Sequence, residues 1–299
     1  MTRRICLVAN KKSGQNSRDA AAIDRAMRAF GEGAWRLDWD AAAPIDDTID
    51  RALAEEPEIV VAAGGDGTVM AVAGAMLGRG VPMAVLPLGT FNYFARGLGL
   101  SETPEEAAQE ILAGHPHEIR IGQVNDRPFL NNASLGIYPA ILRERETIYS
   151  RWGRFRAAAH WSVIKTFLRF RKPMRMTITA DGRSDTRRSA LVFVARSAFQ
   201  LERFGIEGSE AIDDDRFAVL VARAATRREL FTMTFRLAIG KPLRGHDYDL
   251  LTPRELSIDT GRKRRLIAFD GEKARIRGPF RFRMSDEPLT IILPATEGA

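Results

Sequence analysis

Hydrophobic and polar positions follow two different periods along the chain, and the change of period divides it into two regions. In the first region, short apolar runs predict strands at about residues 4–9, 34–39, 58–63 and 82–87. Between them, apolar positions three and four residues apart predict helices at about 17–30, 45–55, 67–79 and 102–113. Strands that alternate with helices indicate a largely parallel sheet, so residues 1–117 are predicted to form an α/β nucleotide-binding domain.

From about His117 onward the pattern becomes mostly strand. Alternating runs predict strands at 118–125, 129–136, 174–180, 188–196, 216–223, 247–259, 264–270, 273–277 and 289–293, with a helix near 226–239. Asp181–Gly182 and Asp270–Gly271 are hairpin-turn signals between such runs. Residues 118–299 are therefore predicted to form a second domain, an antiparallel β-sandwich, with the nucleotide crevice between the two domains.

The most informative segment follows the third predicted strand and consists of Gly64, Gly65, Asp66, Gly67 and Thr68. A strand, a glycine turn and a helix start in this order suit a phosphate group. Glycines let the backbone approach a ligand closely, and a helix N-terminus offers unpaired N–H groups. A purely structural strand-to-helix turn is the alternative interpretation of a lone glycine-rich loop.

Two other predicted strands also end in small polar residues. The fourth strand is followed by PLGTFN at 87–92, and the first strand by Asn10, Lys11, Lys12, Ser13 and Gly14. The carboxyl ends of neighbouring parallel strands line one crevice, so the three turns together predict a nucleotide phosphate site. The chain has neither GxxxxGK[ST] nor GxGxxG in a strand–helix setting, which excludes a P-loop NTPase and weakens a dinucleotide interpretation.

GGDGT at 64–68 and PLGTFN at 87–92, at this spacing, resemble the diacylglycerol kinase catalytic-domain family of lipid kinases, in particular its soluble bacterial members. Four further segments resemble elements of that family in the family's order. They are a first turn at 10–14, an asparagine–serine–glycine strand at 130–136, a D-D-G element at 211–215 and a D-G-E element at 269–272. GGDGT also occurs in NAD kinases and phosphofructokinases, and the later elements favour lipid kinases.

The resemblance implies an ATP-dependent kinase that transfers the γ-phosphate to a hydroxyl of diacylglycerol or a related membrane lipid. It implies nucleotide binding by Asn10, Ser13, Gly14, Gly64, Gly65, Asp66, Gly67, Thr68, Thr90 and Asn92. It implies catalytic roles for three acids: Glu272 as the proton acceptor, Asp270 beside it, and Asp66 acting through water on the Mg²⁺ that arrives with ATP. It also implies a structural Mg²⁺ held by Asp214 and the carbonyl oxygens of Ala211 and Arg216, since Mg²⁺ prefers hard oxygen ligands.

The residues alone leave these roles with alternatives. Asp270–Gly271 between alternating runs is equally well a structural hairpin turn, and Asp213–Asp215 has the pattern of a solvated acidic loop. The chain also departs from the family pattern. Lys11 stands where proline is usual, Met70–Ala71 replaces a polar pair, and Asp215 replaces a glycine.

Three functions are therefore weighed. The loss of the polar pair favours a nucleotide-binding protein of the same fold with weakened catalysis, acting as a regulator. The retention of both GGDGT and the D-G-E element favours an active lipid kinase. A soluble NAD-kinase-like enzyme is a third alternative, whose substrate would not require a basic aromatic helix.

Charge and aromatic side chains suggest where the partner lies. The 299 residues carry a formal net charge of +7, and cations crowd the Arg143–Arg175 segment. There Trp161, Ile164, Phe167 and Leu168 recur at helical spacing, which predicts a basic amphipathic helix at about 140–172 on an anionic membrane surface. The alternative is an ordinary helix whose apolar stripe packs on the protein.

The remaining composition restricts the compartment and the partners. Cys6 is the only cysteine, and no apolar run approaches the roughly 18 residues needed to span a bilayer. We therefore expect a soluble cytoplasmic protein, peripheral at the inner membrane face. A lipid substrate is the expected partner, nucleic acid is not, and a homodimer is left as an alternative.

Overall fold

The structure, a computed structural model, describes residues 3–10, 21–137, 139 and 173–294. Ser13, Gly14 and the predicted amphipathic helix at about 140–172 lie outside the described residues. Contacts divide the chain into two units, Met1–Ile121 with Ser285–Ala299, and Gly122–Met284. Within the described ranges, no helix is long and apolar enough to cross a bilayer.

The first unit is built on one six-stranded sheet. Its strands are β1 (Ile5–Asn10), β2 (Ala34–Trp39), β3 (Ile59–Gly64), β4 (Met83–Pro87), β5 (His115–Ile119) and, from the end of the chain, β18 (Leu289–Leu293). Its described helices are α1 (Ala22–Phe30), α2 (Ile45–Ala54), α3 (Asp66–Met76), α4 (Tyr93–Gly97) and α5 (Pro104–Ala113). The order is β2-β1-β3-β4-β18-β5, with β5 alone antiparallel to its neighbour.

Helices cover both faces of this sheet. The side chains of Leu7, Val61 and Leu86 pack with α1 and α5 in one core cluster, while the intervening residues of the same strands point to the opposite face. Every residue of β3 and β4 is buried, which explains why these strands read as continuous apolar runs. The predicted parallel α/β domain is thereby confirmed.

The last strand corrects the predicted domain boundary. Residues 289–293 were expected in the β-sandwich, whereas β18 pairs with β4 and β5 in the first sheet. Its inner residues Leu289 and Ile291 are fully buried there. An isolated alternating run does not reveal which sheet it joins, because its partners lie far away in the sequence.

The second unit is an antiparallel sandwich of two six-stranded sheets. Its strands are β6 (Gly122–Val124), β7 (Arg127–Phe129), β8 (Asn132–Gly136), β9 (Met174–Ala180), β10 (Arg183–Ser189), β11 (Leu191–Ala195), β12 (Ala218–Ala222), β13 (Tyr248–Leu251), β14 (Leu256–Asp259), β15 (Arg264–Phe269), β16 (Glu272–Arg277) and β17 (Phe280–Met284). Its helices are α6 (Ala198–Arg203), α7 (Ser209–Asp213) and α8 (Arg227–Ala238). The sheet orders are β10-β9-β14-β17-β6-β7 and β13-β12-β11-β8-β15-β16.

Aromatic side chains join the two sheets. The rings of Phe129 and Phe282 come from one sheet, and Phe217 precedes a strand of the other. Their centroids lie 6.1–6.4 Å apart. Such packing is typical of a sandwich core, so the predicted sandwich is also confirmed.

Several predicted strands are divided in the structure. The run at 118–125 becomes β5 of the first unit and β6 of the second, and the run at 247–259 becomes β13 and β14 in different sheets. Strands β10 and β17 were not predicted, because charged residues occupy many of their positions. A period of two marks an extended chain but does not show where the chain changes sheets.

Candidate nucleotide and catalytic site

The first glycine turn connects β3 to α3. Gly64 ends the strand, Gly65 caps the helix, and the Thr68 N–H donates to the Gly65 carbonyl at 2.9 Å. A Cβ at Gly64 would lie 2.6 Å from Thr68 Oγ1, closer than real Cβ contacts come. No side chain therefore fits at position 64, and the expected strand, glycine turn and helix start are present.

The second turn lies directly against the first. Leu88 N–H donates to the Gly64 carbonyl at 2.9 Å, and a Cβ at Gly89 would lie 2.6 Å from Gly65 Cα. The two backbones meet without any side chain between them, while Thr90 beside them is exposed. Since β3 and β4 are adjacent parallel strands, their carboxyl ends bring these two predicted turns together.

Asn92 holds the second turn in place. Its backbone is left-handed, with φ 47°, and its side chain is buried. Asn92 Oδ1 accepts from the Gly89 N–H at 2.8 Å, while Nδ2 donates to the Gly89 carbonyl at 3.1 Å and to Glu102 Oε1 at 3.3 Å. The structure therefore shows Asn92 as a residue that positions the turn, and its implied contact with nucleotide stays a prediction.

Asp66 connects the same two turns through its carboxylate. It is the first residue of α3, and its Oδ1 accepts from the Phe94 N–H at the start of α4, at 3.2 Å. Burial raises the pKa of Asp66 above its ordinary value, although the N–H groups of Phe94, Tyr93 and Asn92 act in the opposite direction. A partly buried carboxylate thus lies beside the glycine turns.

The third predicted turn is described only at its start. Asn10 is the last residue of β1, which lies beside β3 in the sheet, so its strand end neighbours that of Gly64. Ser13 and Gly14 fall outside the described residues.

In the second unit, Asp270 and Glu272 lie at a two-residue hairpin tip between β15 and β16. Asp270 and Gly271 have φ 45° and 84°, and Phe269 pairs with Glu272, as the hairpin signal predicted. Glu272 is exposed as the first residue of β16. The tip thus presents one carboxylate to solvent and directs the other inward.

Backbone N–H groups hold the Asp270 carboxylate. It accepts from Leu130 N at 2.5 Å, Asn131 N at 2.8 Å and Asn132 N at 2.9 Å. The Asp270 N–H in turn donates to the Asn132 carbonyl at 3.0 Å. Three N–H donors hold this side chain in one orientation, so Asp270 anchors the start of β8.

A buried polar row beside this anchor was not assigned from the sequence. Asn132 Nδ2 donates to Gln200 Oε1 at 2.9 Å, and Asn131 Oδ1 and Ser134 Oγ are buried without a hydrogen-bonding partner among the described residues. Buried polar groups are rarely left without a hydrogen-bonding partner, so this row is a notable feature of the second unit. The available signal was the presence of polar residues inside the apolar 130–136 strand.

The D-D-G element forms the loop after α7. The Ala211 carbonyl accepts from Arg216 N at 2.8 Å, and the Asp214 side chain is exposed. One carboxylate and two carbonyls are a donor set of hard oxygens that suits Mg²⁺ with bound waters. In the described ranges no three His, Cys, Asp or Glu side chains cluster as metal ligands, so this metal site stays a prediction.

Arg196 organises this loop and was missed by the sequence reasoning. Its guanidinium donates to the Ile212 carbonyl at 2.8 Å and to Asp215 Oδ1 at 2.6 Å. Burial lowers the pKa of Arg196, and Asp215 and Asp213 offset part of that effect. Asp215 has φ 54°, a left-handed conformation that glycine adopts without strain, which agrees with the glycine of the D-D-G element that this segment resembles.

Comparison with known proteins places this geometry in a family. Residues 4–124 match the diacylglycerol kinase catalytic domain, and residues 141–293 match the YegS C-terminal NAD kinase beta sandwich-like domain. The chain belongs to the diacylglycerol kinase catalytic-domain family. The resemblance inferred from the two glycine motifs is confirmed.

Individual relatives match over less than half of the chain. A protein of Pseudomonas fluorescens named "Probable lipid kinase YegS-like" is 33% identical over 136 residues, which cover 45% of this chain and 44% of that protein. A relative with the same name in Pseudomonas aeruginosa is 38% identical over 135 residues, covering 44% of each chain. The alignments thus span less than half the length of the relatives.

Solved structures share this fold over nearly the whole length of the chain. A diacylglycerol kinase from Bacillus anthracis strain Sterne has a TM-score of 0.69 and 19% identity over 97% of each chain. A further structure from the same strain has a TM-score of 0.73 and 18% identity over 97% of each chain. At this identity the likeness shows the fold alone.

Proposed function

We propose that this chain is an ATP-dependent lipid kinase that transfers the γ-phosphate to a hydroxyl of diacylglycerol or a related membrane lipid. The observation that carries the proposal is the side-chain-free contact of Gly65 with Gly89 at the carboxyl ends of two adjacent parallel strands. The family match and the names of the relatives support a kinase acting on lipid.

The turns fit the phosphates of a nucleotide. Bare backbone at Gly64, Gly65 and Gly89 allows close approach, and α3, with 11 residues, directs the positive end of its dipole toward the same turn. The exposed Thr90 hydroxyl adds a hydrogen-bond donor. Mg²⁺ bound with ATP would neutralise phosphate charge, and Asp66 is the carboxylate available beside these turns.

Proton transfer is assigned to Glu272. As the lipid hydroxyl oxygen forms a bond to the γ-phosphorus, its proton passes to the Glu272 carboxylate and the bond to ADP breaks. Glu272 is exposed and therefore accessible to a substrate, whereas the Asp270 carboxylate is occupied by three N–H donors. We assign Asp270 to positioning the turn that carries Glu272.

The site of action is proposed to be the cytoplasmic face of the inner membrane. The support is the net charge of +7 and the cationic, aromatic segment Arg143–Arg175, of which residues 143–172 lie outside the described residues. Anionic lipid attracts such a segment by about 1 kcal/mol per Lys or Arg near the surface.

A labelling experiment tests the proposed reaction. The protein is incubated with γ-labelled ATP, Mg²⁺ and a total lipid extract dispersed in detergent, and labelled products are separated and identified. We expect labelled lipid with the wild type and none with Asp66→Ala. Asp46→Ala is the control, because it also removes a first-turn acid, here from an exposed position of α2 that is outside the two glycine turns.

The other outcomes decide between the alternatives. Nucleotide binding without any labelled lipid would overturn the kinase proposal and favour a regulator, consistent with Met70–Ala71. Label on a water-soluble acceptor in place of lipid would favour the NAD-kinase-like alternative. Equal labelling by Asp66→Ala and wild type would remove Asp66 from the catalytic site.

A further inference from the structure

Helix α8 carries an unusual amount of exposed apolar surface. Phe231, Phe235 and Ile239 are 62%, 59% and 52% exposed, and Leu243 in the following loop is 48% exposed. The first three are four residues apart, so they lie on one face of the helix. We call these four side chains the outer stripe. Among the described residues, the only other large hydrophobic side chain with such exposure is Phe91.

The outer stripe is not needed to hold α8 in the fold. The opposite side of the helix is already buried through Leu230 and Met233, and Leu237 packs against a second cluster. A capping box formed by Thr226 and Glu229 fixes the start of the helix. Contiguous apolar surface that folding does not use marks an interaction site.

Cations lie at both ends of the outer stripe. Arg227 and Arg228 occupy the first turn of α8, and Lys241 and Arg244 follow the helix, all four exposed. Arginine in the first turn opposes the helix dipole, so helix stability does not explain this placement. Among the nearby acids, Glu229 accepts from Ala225 N and Asp247 accepts from Arg236, both at 2.8 Å, while Glu207 pairs with Arg244 at 2.8 Å.

A cavity of about 430 Å³ lies along one side of the same helix. Its lining includes Arg223, Arg228, Thr232, His246 and the apolar Met233, together with two acids, Glu229 and Asp247, whose carboxylates accept from Ala225 N and from Arg236. Arg228 therefore belongs both to the cationic end of the outer stripe and to the cavity wall. The volume is within the range of small-ligand sites, and guanidinium groups suit a phosphate headgroup.

We propose that α8 and the loop to Leu243 form a docking surface for an anionic lipid bilayer. The outer stripe enters the interfacial region, the flanking cations meet anionic headgroups, and the cavity receives one headgroup. This inference rests on the proposed function, because an enzyme with a lipid substrate has to reach it from a membrane. It names a surface distinct in sequence from the Arg143–Arg175 segment.

A second copy of the chain is a poorer occupant of this surface. In a symmetric dimer centred on the outer stripe, the same patch would meet itself, which brings Arg227 and Arg228 near their own copies or near Lys241 and Arg244 of the other copy. Like charges at a contact weaken it, whereas an anionic bilayer is complementary to both the cations and the apolar side chains.

Vesicle sedimentation tests the proposal with the full chain. Binding is measured on vesicles of phosphatidylcholine alone and of phosphatidylcholine with one quarter phosphatidylglycerol, at low and high salt. Phe231→Ser with Phe235→Ser is expected to lower partitioning onto anionic vesicles by roughly tenfold or more. Arg227→Glu with Arg228→Glu is expected to lower partitioning onto anionic vesicles by roughly tenfold at low salt. The two glutamates interact favourably with the positive end of the helix dipole, so the change is not expected to destabilise α8.

A matched charge control is available in the same unit. Arg183→Glu with Arg188→Glu makes the same change of net charge at exposed positions of the edge strand β10, and is expected to leave vesicle binding within about twofold of wild type. Circular dichroism and a thermal melt of each variant establish that the fold is retained. Equal losses in both charge variants would show a general charge effect and overturn the docking surface.

The readouts separate this proposal from the proposed reaction. If the docking surface is wrong, wild type labels detergent-dispersed lipid and the Phe231→Ser, Phe235→Ser variant sediments like wild type. If the kinase proposal is wrong, no lipid is labelled, yet vesicle binding still depends on the outer stripe. Self-association of wild type without lipid that disappears in the same variant would assign the outer stripe to a second copy and overturn the proposal.

Discussion

Two hairpin tips of the second unit, Asp181–Gly182 and Asp270–Gly271, have nearly the same backbone geometry. The aspartates have φ 46° and 45°, and the glycines φ 80° and 84°. Each aspartate N–H donates to a carbonyl of a neighbouring segment at 3.0 Å, Glu255 in one case and Asn132 in the other. Each carboxylate also accepts from backbone N–H groups of that segment.

The difference lies in what surrounds the tips. Asp181 is exposed and accepts from two N–H groups, whereas Asp270 is half-buried and accepts from three. Arg183 follows the first tip and the exposed Glu272 follows the second. The Asp–Gly tips therefore have a structural role in this sandwich. We assign the chemistry to Glu272, the exposed acid that follows the second tip.

The largest expected effect is a loss of activity on substitution beside the second tip but not beside the first. Glu272→Gln keeps the shape of the side chain but removes the proton acceptor, so we expect the rate of the chemical step to fall by about 10²–10⁴-fold. Nucleotide binding should be retained. Arg183→Gln, at the corresponding position of the other tip, should leave single-turnover rates within about twofold of wild type.

One result would reverse this assignment. If Asp270→Asn removes the chemical step without a loss of stability while Glu272→Gln is mild, then Asp270 is the proton acceptor. The comparison of the two tips would then no longer distinguish structural from catalytic acids.

The second prediction separates the tips by stability. Asp270→Ala leaves three backbone N–H groups without their acceptor and is expected to lower the free energy of unfolding by roughly 2–4 kcal/mol. Asp181→Ala, with two exposed donors that water can satisfy, should cost about 1 kcal/mol or less. Urea denaturation measures both, and equal losses would contradict the inferred anchoring role of Asp270.

The third prediction concerns what the tips share. Both glycines have positive φ, and a Cβ at either position would meet no other atom within 4 Å. Gly182→Ala and Gly271→Ala should therefore each cost only the backbone strain, about 1–2 kcal/mol. Thermal melts should show equal shifts in the two variants, and a much larger loss at Gly271 would indicate a contact that the bare geometry does not show.

The smallest effect concerns Asp66, a third acid that accepts a backbone N–H. Its pKa is raised above the ordinary 3.8 in the folded protein, chiefly by burial. Above 3.8, and up to the folded pKa, the folded state binds more protons than the unfolded state, so the free energy of unfolding falls as pH rises through this window. Asp66→Asn should remove this slope and be at least as stable as wild type at neutral pH.

Chemical denaturation at several pH values checks this expectation. Asp46→Asn is the control, because its side chain is exposed. A variant Asp66→Asn that is less stable than wild type at neutral pH would show that the charge itself, held by the N–H groups at the start of α4, stabilises the turn.

The sequence by itself determined the features that depend on local backbone requirements. Continuous apolar runs marked the buried parallel strands β3 and β4, and glycines marked turns where a Cβ has no room or φ is positive, as at Gly64 and Gly271. Because such requirements are met within a few residues, they leave a readable pattern in the chain.

Only the tertiary structure decided how distant segments combine. Strand β18 joins the first sheet, Asp270 anchors residues 130–132, Arg196 supports the loop at Asp215, and the outer stripe of α8 stays exposed among the described residues. Asp270 and its three donors are about 140 positions apart in the chain. Long-range pairing depends on which surfaces remain unpaired after the local elements have formed, and no short stretch of sequence contains that information.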